Sequence, residues 1–160
     1  ERMPEFTAPK LGKFGNDVSM ELTVPENAEG VLYALGGFSG GLSCYVKDGY
    51  LMYEYNLFEI NRTQIKSKTK LPTGEVKIEV VSRLTSPKPG SPMDVSLKVN
   101  GKEVAKGQVP ITAALTFTAN DCLDLGSDLG SPVSIDYYDS APFEFNGTLK
   151  TTKVWYPKTK

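Results

Sequence analysis

The sequence predicts an all-β chain, an antiparallel β-sandwich of the jelly-roll kind, on three observations. Several segments carry a period-two hydrophobic pattern, turn signals recur at roughly 8–12-residue spacing, and no stretch sustains a 3.6-residue period. Val18, Met20, Leu22 and Val24 alternate with Asp17, Ser19, Glu21 and Thr23, which puts one face on a core and the other in water. Val76, Ile78 and Val80 alternate with Glu75, Lys77 and Glu79 in the same way, and Val95, Leu97 and Val99 with Asp94, Ser96 and Lys98. Lys47-Asp48-Gly49 joins a strand carrying Leu42, Cys44 and Val46 to one carrying Leu51, Tyr53 and Tyr55, and Asn100-Gly101 leads into a strand with Val104. Asn-Gly and Asp-Gly tolerate the positive φ that tight primed turns require. Further strands are expected around Val31 to Leu35, Asn61 to Ser67, Ala113 to Thr118 and Phe145 to Trp155. Pro or Gly interrupts almost every window long enough for a helix. The Pro-rich stretch from Thr85 to Pro92 is expected to be a solvent loop between neighbouring strands of one sheet.

The chain has 160 residues, 18 basic and 19 acidic, 15 Gly, 11 Pro and no histidine. That length fits one β-sandwich domain over residues 1–160, able to bury about two-thirds of its unfolded surface without a metal or a dense disulfide set. A net charge of −1 opposes nucleic acid as a partner, which demands a basic phosphate-tracking face. No apolar run reaches the roughly 20 residues of a membrane span. Glu1-Arg2-Met3-Pro4-Glu5 lacks both an initiator methionine and the charge order of a signal peptide, as expected of a processed fragment of a longer chain. Without histidine, Ser-His-Asp and Cys-His nucleophile schemes and His-based zinc sites are excluded. Cys44 and Cys122 sit among apolar neighbours and read as two reduced core thiols rather than a bridge.

Several segments invite chemistry. Gly36-Gly37-Phe38-Ser39-Gly40-Gly41 lacks the following helix and the Lys-Ser/Thr of a phosphate loop, so it reads as a glycine corner between strands. Carboxylates gather at Asp121, Asp124, Asp128 and Asp136. Asp124, Asp128 and Asp136 are the ligands expected for a structural calcium if one is bound, but the spacing is not that of an EF-hand. Gly126 and Gly130 favour turns in which Asp side chains accept bonds from backbone amides, an arrangement that needs no metal and is the expected one. Glu54 and Glu59 are a conceivable glycosidase pair, but residues of this kind on strand exteriors are ordinarily solvated. Tyr45, Tyr50, Tyr53, Tyr55, Phe58, Tyr137 and Tyr138 could stack on sugars. Strand parity splits them, with Tyr53 and Tyr55 on the face of Leu51, and Tyr50 opposite with Met52 and Glu54. The sequons at Asn61 and Asn146 say little about compartment.

The runs from Glu29 to Gly37 and from Gly40 to Asn56 resemble the C-terminal domain of large bacterial arylsulfatases. Val99 to Ala105, Leu125 to Ser134, Asp136-Tyr137 and Phe145-Asn146-Gly147 are similar to the same domain in the same order. Arg2-Met3-Pro4-Glu5 resembles its entry, so the resemblance runs from about Arg2 to Trp155. It implies a concanavalin- or laminin-G-like sandwich placed behind an alkaline-phosphatase-like sulfatase domain, in the bacterial periplasm or outside the cell. The catalytic domain of the same chain, or a neighbouring subunit, is the implied partner. Sulfatases use a formylglycine made from a C/S-x-P-x-R motif. Cys44 is followed by Tyr45-Val46-Lys47 and Cys122 by Leu123-Asp124-Leu125, so the resemblance brings no catalytic residue and no cofactor to this chain. A non-catalytic accessory domain is the leading expectation. A free-standing, lectin-like carbohydrate-binding module is the alternative, by analogy of fold alone.

Overall fold

The structure, a computed structural model, describes residues 1–4, 7–115, 117 and 122–157. Its strands are β1 (Arg2–Pro4), β2 (Asn16–Val24), β3 (Gly30–Gly37), β4 (Gly40–Lys47), β5 (Tyr50–Leu57), β6 (Asn61–Lys70), β7 (Gly74–Leu84), β8 (Met93–Val99), β9 (Lys102–Val109), β10 (Cys122–Leu125) and β11 (Thr148–Trp155). They form a six-stranded sheet in the order β1-β10-β3-β4-β5-β6 and a five-stranded sheet in the order β11-β2-β7-β8-β9. Every ladder within them is antiparallel.

The alternating segments meet between the sheets. Val18, Met20, Leu22 and Val24 of β2, Val76, Ile78 and Val80 of β7, and Val95, Leu97 and Val99 of β8 are all buried against Leu35, Leu42, Cys44, Leu51, Tyr53 and Tyr55 of the six-stranded sheet. Removing each such aliphatic side chain from water contributes about 1.5–3 kcal/mol, which is why period-two stretches settle as half-buried strands. Both expected hairpin turns form with positive φ at both central residues, 52° and 82° at Asp48 and Gly49, 50° and 82° at Asn100 and Gly101. The Thr85–Pro92 loop joins β7 to β8, which pair directly.

β3, β4 and β5 are buried on both faces because a third layer covers the six-stranded sheet. Val133 and Tyr137 lie on its outer face against Val31, Ala34, Tyr45 and Met52. Tyr137 belongs to a 3-10 turn over Ile135–Ser140, the only helical segment among the described residues; its N-cap Ser134 accepts a bond from the Asp136 amide.

Three local readings change. No strand forms among the described residues of 113–118. There the Ala113 amide donates to the Tyr55 hydroxyl at 2.8 Å, and Ala113 and Phe117 turn into the core, so the segment caps the sandwich instead of extending a sheet. Conversely, Cys122–Leu125, read as part of an acidic loop, is a strand, and Arg2–Pro4 pairs with it. Both cysteines are free, as expected, but only Cys44 is a core thiol; Cys122 is half-buried in the short strand β10. Burial pushes the Cys44 thiol well above its usual range, leaving it without thiolate character.

Candidate functional site

Two surfaces deserve comparison: the outer face of the six-stranded sheet and a groove at one end of the sandwich. Across the outer face, Arg2, Asp124, Ala34, Ser43, Glu54 and Gln64 are cross-strand partners in succession from β1 to β6. This polar row lies on the face that residues 128–138 overlie. Asp124 pairs with Arg2 Nε at 3.4 Å and accepts the Leu129 amide at 2.9 Å. Asp128 accepts the Val133 amide at 2.8 Å and the Tyr137 hydroxyl at 2.6 Å. Asp136 accepts the Tyr45 hydroxyl at 2.9 Å and Gln64 Nε2 at 3.0 Å. The three carboxylates expected for calcium are thus each engaged separately, two of them with backbone amides within the loop. Among the described residues no three Asp, Glu, Cys or His side chains gather as a metal-sized group. Asp121 lies outside the described residues.

Glu54 and Glu59 do not share a cleft. Glu54 is 1% exposed under the covering layer, whereas Glu59 stands in solvent in the turn after β5. Glu54 Oε1 accepts Gln64 Nε2 at 3.2 Å and lies 3.9 Å from Arg62 Nη1, while Oε2 is buried with no hydrogen-bond partner. Burial raises its carboxyl above the ordinary value; Ser134 and Arg62 pull it back and Asp136 pushes it further up. The folded state therefore holds the Glu54 proton more tightly than the unfolded chain. Its stabilising contribution is complete below the ordinary carboxylate range and is lost as pH rises through the raised value. Glu54→Gln is expected to raise the melting midpoint at pH 7 by about 3 °C, the shift about 1 kcal/mol produces at this size, and to leave it unchanged near pH 4. A lower midpoint at pH 7 would mean that the Arg62 attraction outweighs burial.

Of the aromatics singled out from the sequence, Tyr45, Tyr53, Tyr55 and Tyr137 are buried and cannot stack on a ligand. Tyr50 is half-buried beneath Lys66 Nζ, 4.2 Å from its ring centroid. Phe58 and Tyr138 are exposed.

The end groove uses other residues. It encloses about 1040 Å³ between the loop from Thr7 to Gly15, the end of β7 and the connection that follows it from Arg83 to Gly90, residues 112–114, and Tyr156–Pro157. Its walls are fixed from the core. The hydroxyl of Tyr55, itself buried, donates to the Gly12 carbonyl at 2.7 Å and accepts the Ala113 amide, tying two walls together. Asn16 Nδ2 donates to the Leu11 and Phe14 carbonyls at 3.0 and 2.8 Å, which holds the first loop. On the opposite wall, Thr112 Oγ1 donates to the Ser91 carbonyl at 2.7 Å and Ser91 Oγ to that of Lys88 at 2.5 Å. Tyr156 closes the groove by accepting the Lys10 amide at 2.6 Å.

Two aromatic rings border this space, Phe14 at 45% and Tyr156 at 47% exposure, together with three hydroxyls already bonded to backbone: Thr7 and Thr85 Oγ1 donate to the Pro4 and Pro92 carbonyls at 3.0 and 3.1 Å, and Ser86 Oγ accepts the Lys88 amide at 3.2 Å. The sequence reading missed all of these. The available signal was the setting of the two rings, Gly12-Lys13-Phe14-Gly15 and Trp155-Tyr156-Pro157. Each ring lies beside Gly or Pro at or beyond a strand end, where a large apolar side chain has no sheet to pack on.

No protein-family model matches the chain, and no curated protein sequence does. Solved structures do match. Domains LG4-5 of the mouse laminin alpha1 chain superpose with a TM-score of 0.70 at 13% identity, over 96% of this chain and 38% of that one. The Ruminococcus gnavus IT-sialidase CBM40 bound to alpha2,3 sialyllactose gives 0.63 at 11% identity, over 99% and 87%. The native heptameric SAP-like pentraxin of Limulus polyphemus gives 0.56 at 15%, over 99% and 69%. The chain spans about two-fifths of the laminin chain it matches. At these identities the likeness shows the fold: an all-β, two-sheet antiparallel sandwich of the concanavalin A-like, laminin G-like class.

Proposed function

We propose that the protein is a non-catalytic carbohydrate-binding module and that the end groove takes the sugar. The observation that carries this reading is the groove wall itself. Phe14 and Tyr156 offer ring faces to the C–H faces of a pyranose, the remaining lone pairs of Thr7 and Thr85 and the hydroxyl proton of Ser86 match its polar edge, and among the described residues no carboxylate lines the space. Glycoside hydrolysis requires two positioned acids, so such a wall binds and does not cut. The neighbour solved with sialyllactose supports the reading by showing that a sandwich of this shape can present a saccharide site.

Titration of the purified protein with a panel of neutral and acidic oligosaccharides is expected to give saturable binding. Phe14→Ala and Tyr156→Ala should each weaken it about tenfold, the loss of one stacked ring; the melting midpoint should be unchanged in Phe14→Ala and lower in Tyr156→Ala, which also removes the acceptor of the Lys10 amide. Absence of binding to every class of saccharide would overturn the reading.

A second reading, an accessory domain docked on a sulfatase catalytic domain, rests on the sequence resemblance. Exposed apolar side chains at Phe58, Ile60 and Tyr138 support it as surface available for such a partner. A C/S-x-P-x-R motif encoded a few hundred residues upstream of Glu1 would favour it, and its absence would remove its basis.

A further inference from the structure

We infer that the groove selects acidic saccharide chains, those bearing carboxylate or sulfate on successive sugars; this rests on the carbohydrate reading above. The argument is from charge placement. The whole chain is nearly balanced, 18 basic against 19 acidic residues, so a lining of nineteen residues at average composition would include about two of each sign. Among the described residues the groove instead carries Lys10, Lys13, Arg83 and Lys88 and no acid. Arg83 is the one cation with a carboxylate beside it. Its Nη1 donates to Asp17 Oδ1 at 2.6 Å and to the Asn16 and Ser82 carbonyls at 3.3 and 2.8 Å, which fixes the guanidinium at the groove wall. None of the three lysines forms an ion pair among the described residues. Lys13 instead lies 5.5 Å from the Phe14 ring centroid, a cation beside the ring on which a sugar would stack.

Three ammonium groups facing one concavity, none in an ion pair among the described residues, repel one another, and that repulsion is relieved when an anion enters. Their positions on two walls suit charges spaced along a chain better than a single carboxylate. Lysine ammonium groups act as point charges without the planar fork that would favour one anion shape, so carboxylate and sulfate both qualify. The apolar and aromatic parts of the wall distinguish this surface from a bare basic patch.

The test titrates the protein with three probes of equal length: a neutral hexasaccharide, a hexauronate and a sulfated hexasaccharide. An oligonucleotide of matching charge serves as the fourth. The acidic saccharides are expected to bind at least about tenfold more tightly than the neutral one, with the advantage shrinking as salt rises. The triple variant Lys10→Ala/Lys13→Ala/Lys88→Ala should lose that advantage while its melting midpoint stays as it was. Equal binding of neutral and acidic probes overturns the inference and leaves the carbohydrate reading standing, whereas no binding of any saccharide removes both. Acidic binding untouched by the triple variant places the site elsewhere and overturns it. So does an oligonucleotide bound as tightly as the acidic saccharides, because the groove would then read charge alone.

Discussion

Asp128→Ala is expected to lower the melting midpoint by about 10 °C, equivalent to roughly 4 kcal/mol in a domain of this size. The side chain is 1% exposed and one oxygen, Oδ2, serves two donors, the Val133 amide at 2.8 Å and the Tyr137 hydroxyl at 2.6 Å. Hydrogen bonds to a carboxylate are worth about 1.5–3 kcal/mol each, and a buried amide left without its acceptor adds its own desolvation cost. The Tyr137 hydroxyl keeps one alternative, Ser43 Oγ at 2.9 Å, so the cost falls mainly on Val133. Since Val133 and Tyr137 are the covering layer over Val31, Tyr45 and Met52, the substitution should also make residues 126–146 the first site of proteolytic cleavage. Calcium should leave the wild-type midpoint where chelator leaves it, because the carboxylate is occupied by protein donors. A calcium-dependent rise abolished by Asp128→Ala would reassign this carboxylate to a metal. A fall of less than a degree would show that the layer is held by its apolar contacts alone.

The two-sheet core was legible because burial on one face leaves a period of two, which β7 and β8 show without interruption and β2 breaks only at the buried Ser19. The outer layer was not. Tyr45, Met52 and Glu54 occupy the parity that the pattern assigns to the exterior, and a strand carries no mark of a segment arriving from eighty or ninety residues further along. Parity did place Tyr53 and Tyr55 in the core and Tyr50 opposite them. Within the acidic stretch, carboxylates accepting local amides were expected and are found at Asp124 and Asp128, whereas β10 was missed because four residues are too few to display alternation. The groove was hidden for a different reason. It is assembled from four separate segments, coil apart from the last two residues of β7, and coil has no period from which a shared surface could be read.

Gly30→Ala should be among the most damaging single-methyl changes at the described glycines, costing about 3 kcal/mol or more and lowering the midpoint by at least about 8 °C. Gly30 opens β3 at φ 116°, a conformation that L side chains rarely adopt. A β-carbon there would also stand 2.4 Å from both the Glu144 carbonyl oxygen and the Phe145 Cα. Those atoms are backbone and cannot rotate away. They belong to the segment that crosses the start of β3, where the Val31 amide donates to the Phe143 carbonyl at 2.7 Å and Val31 bridges Glu144. Relief of the clash thus requires breaking that crossing, which anchors the end of the outer layer. Gly101→Ala separates the two contributions, because its φ of 82° is also positive but nothing lies within 4 Å of the added carbon. That variant should lose only the left-handed strain, about 1 kcal/mol. Denaturant unfolding of the two variants side by side gives the comparison, and equal losses would mean that φ alone decides and that the crossing at Glu144 yields freely.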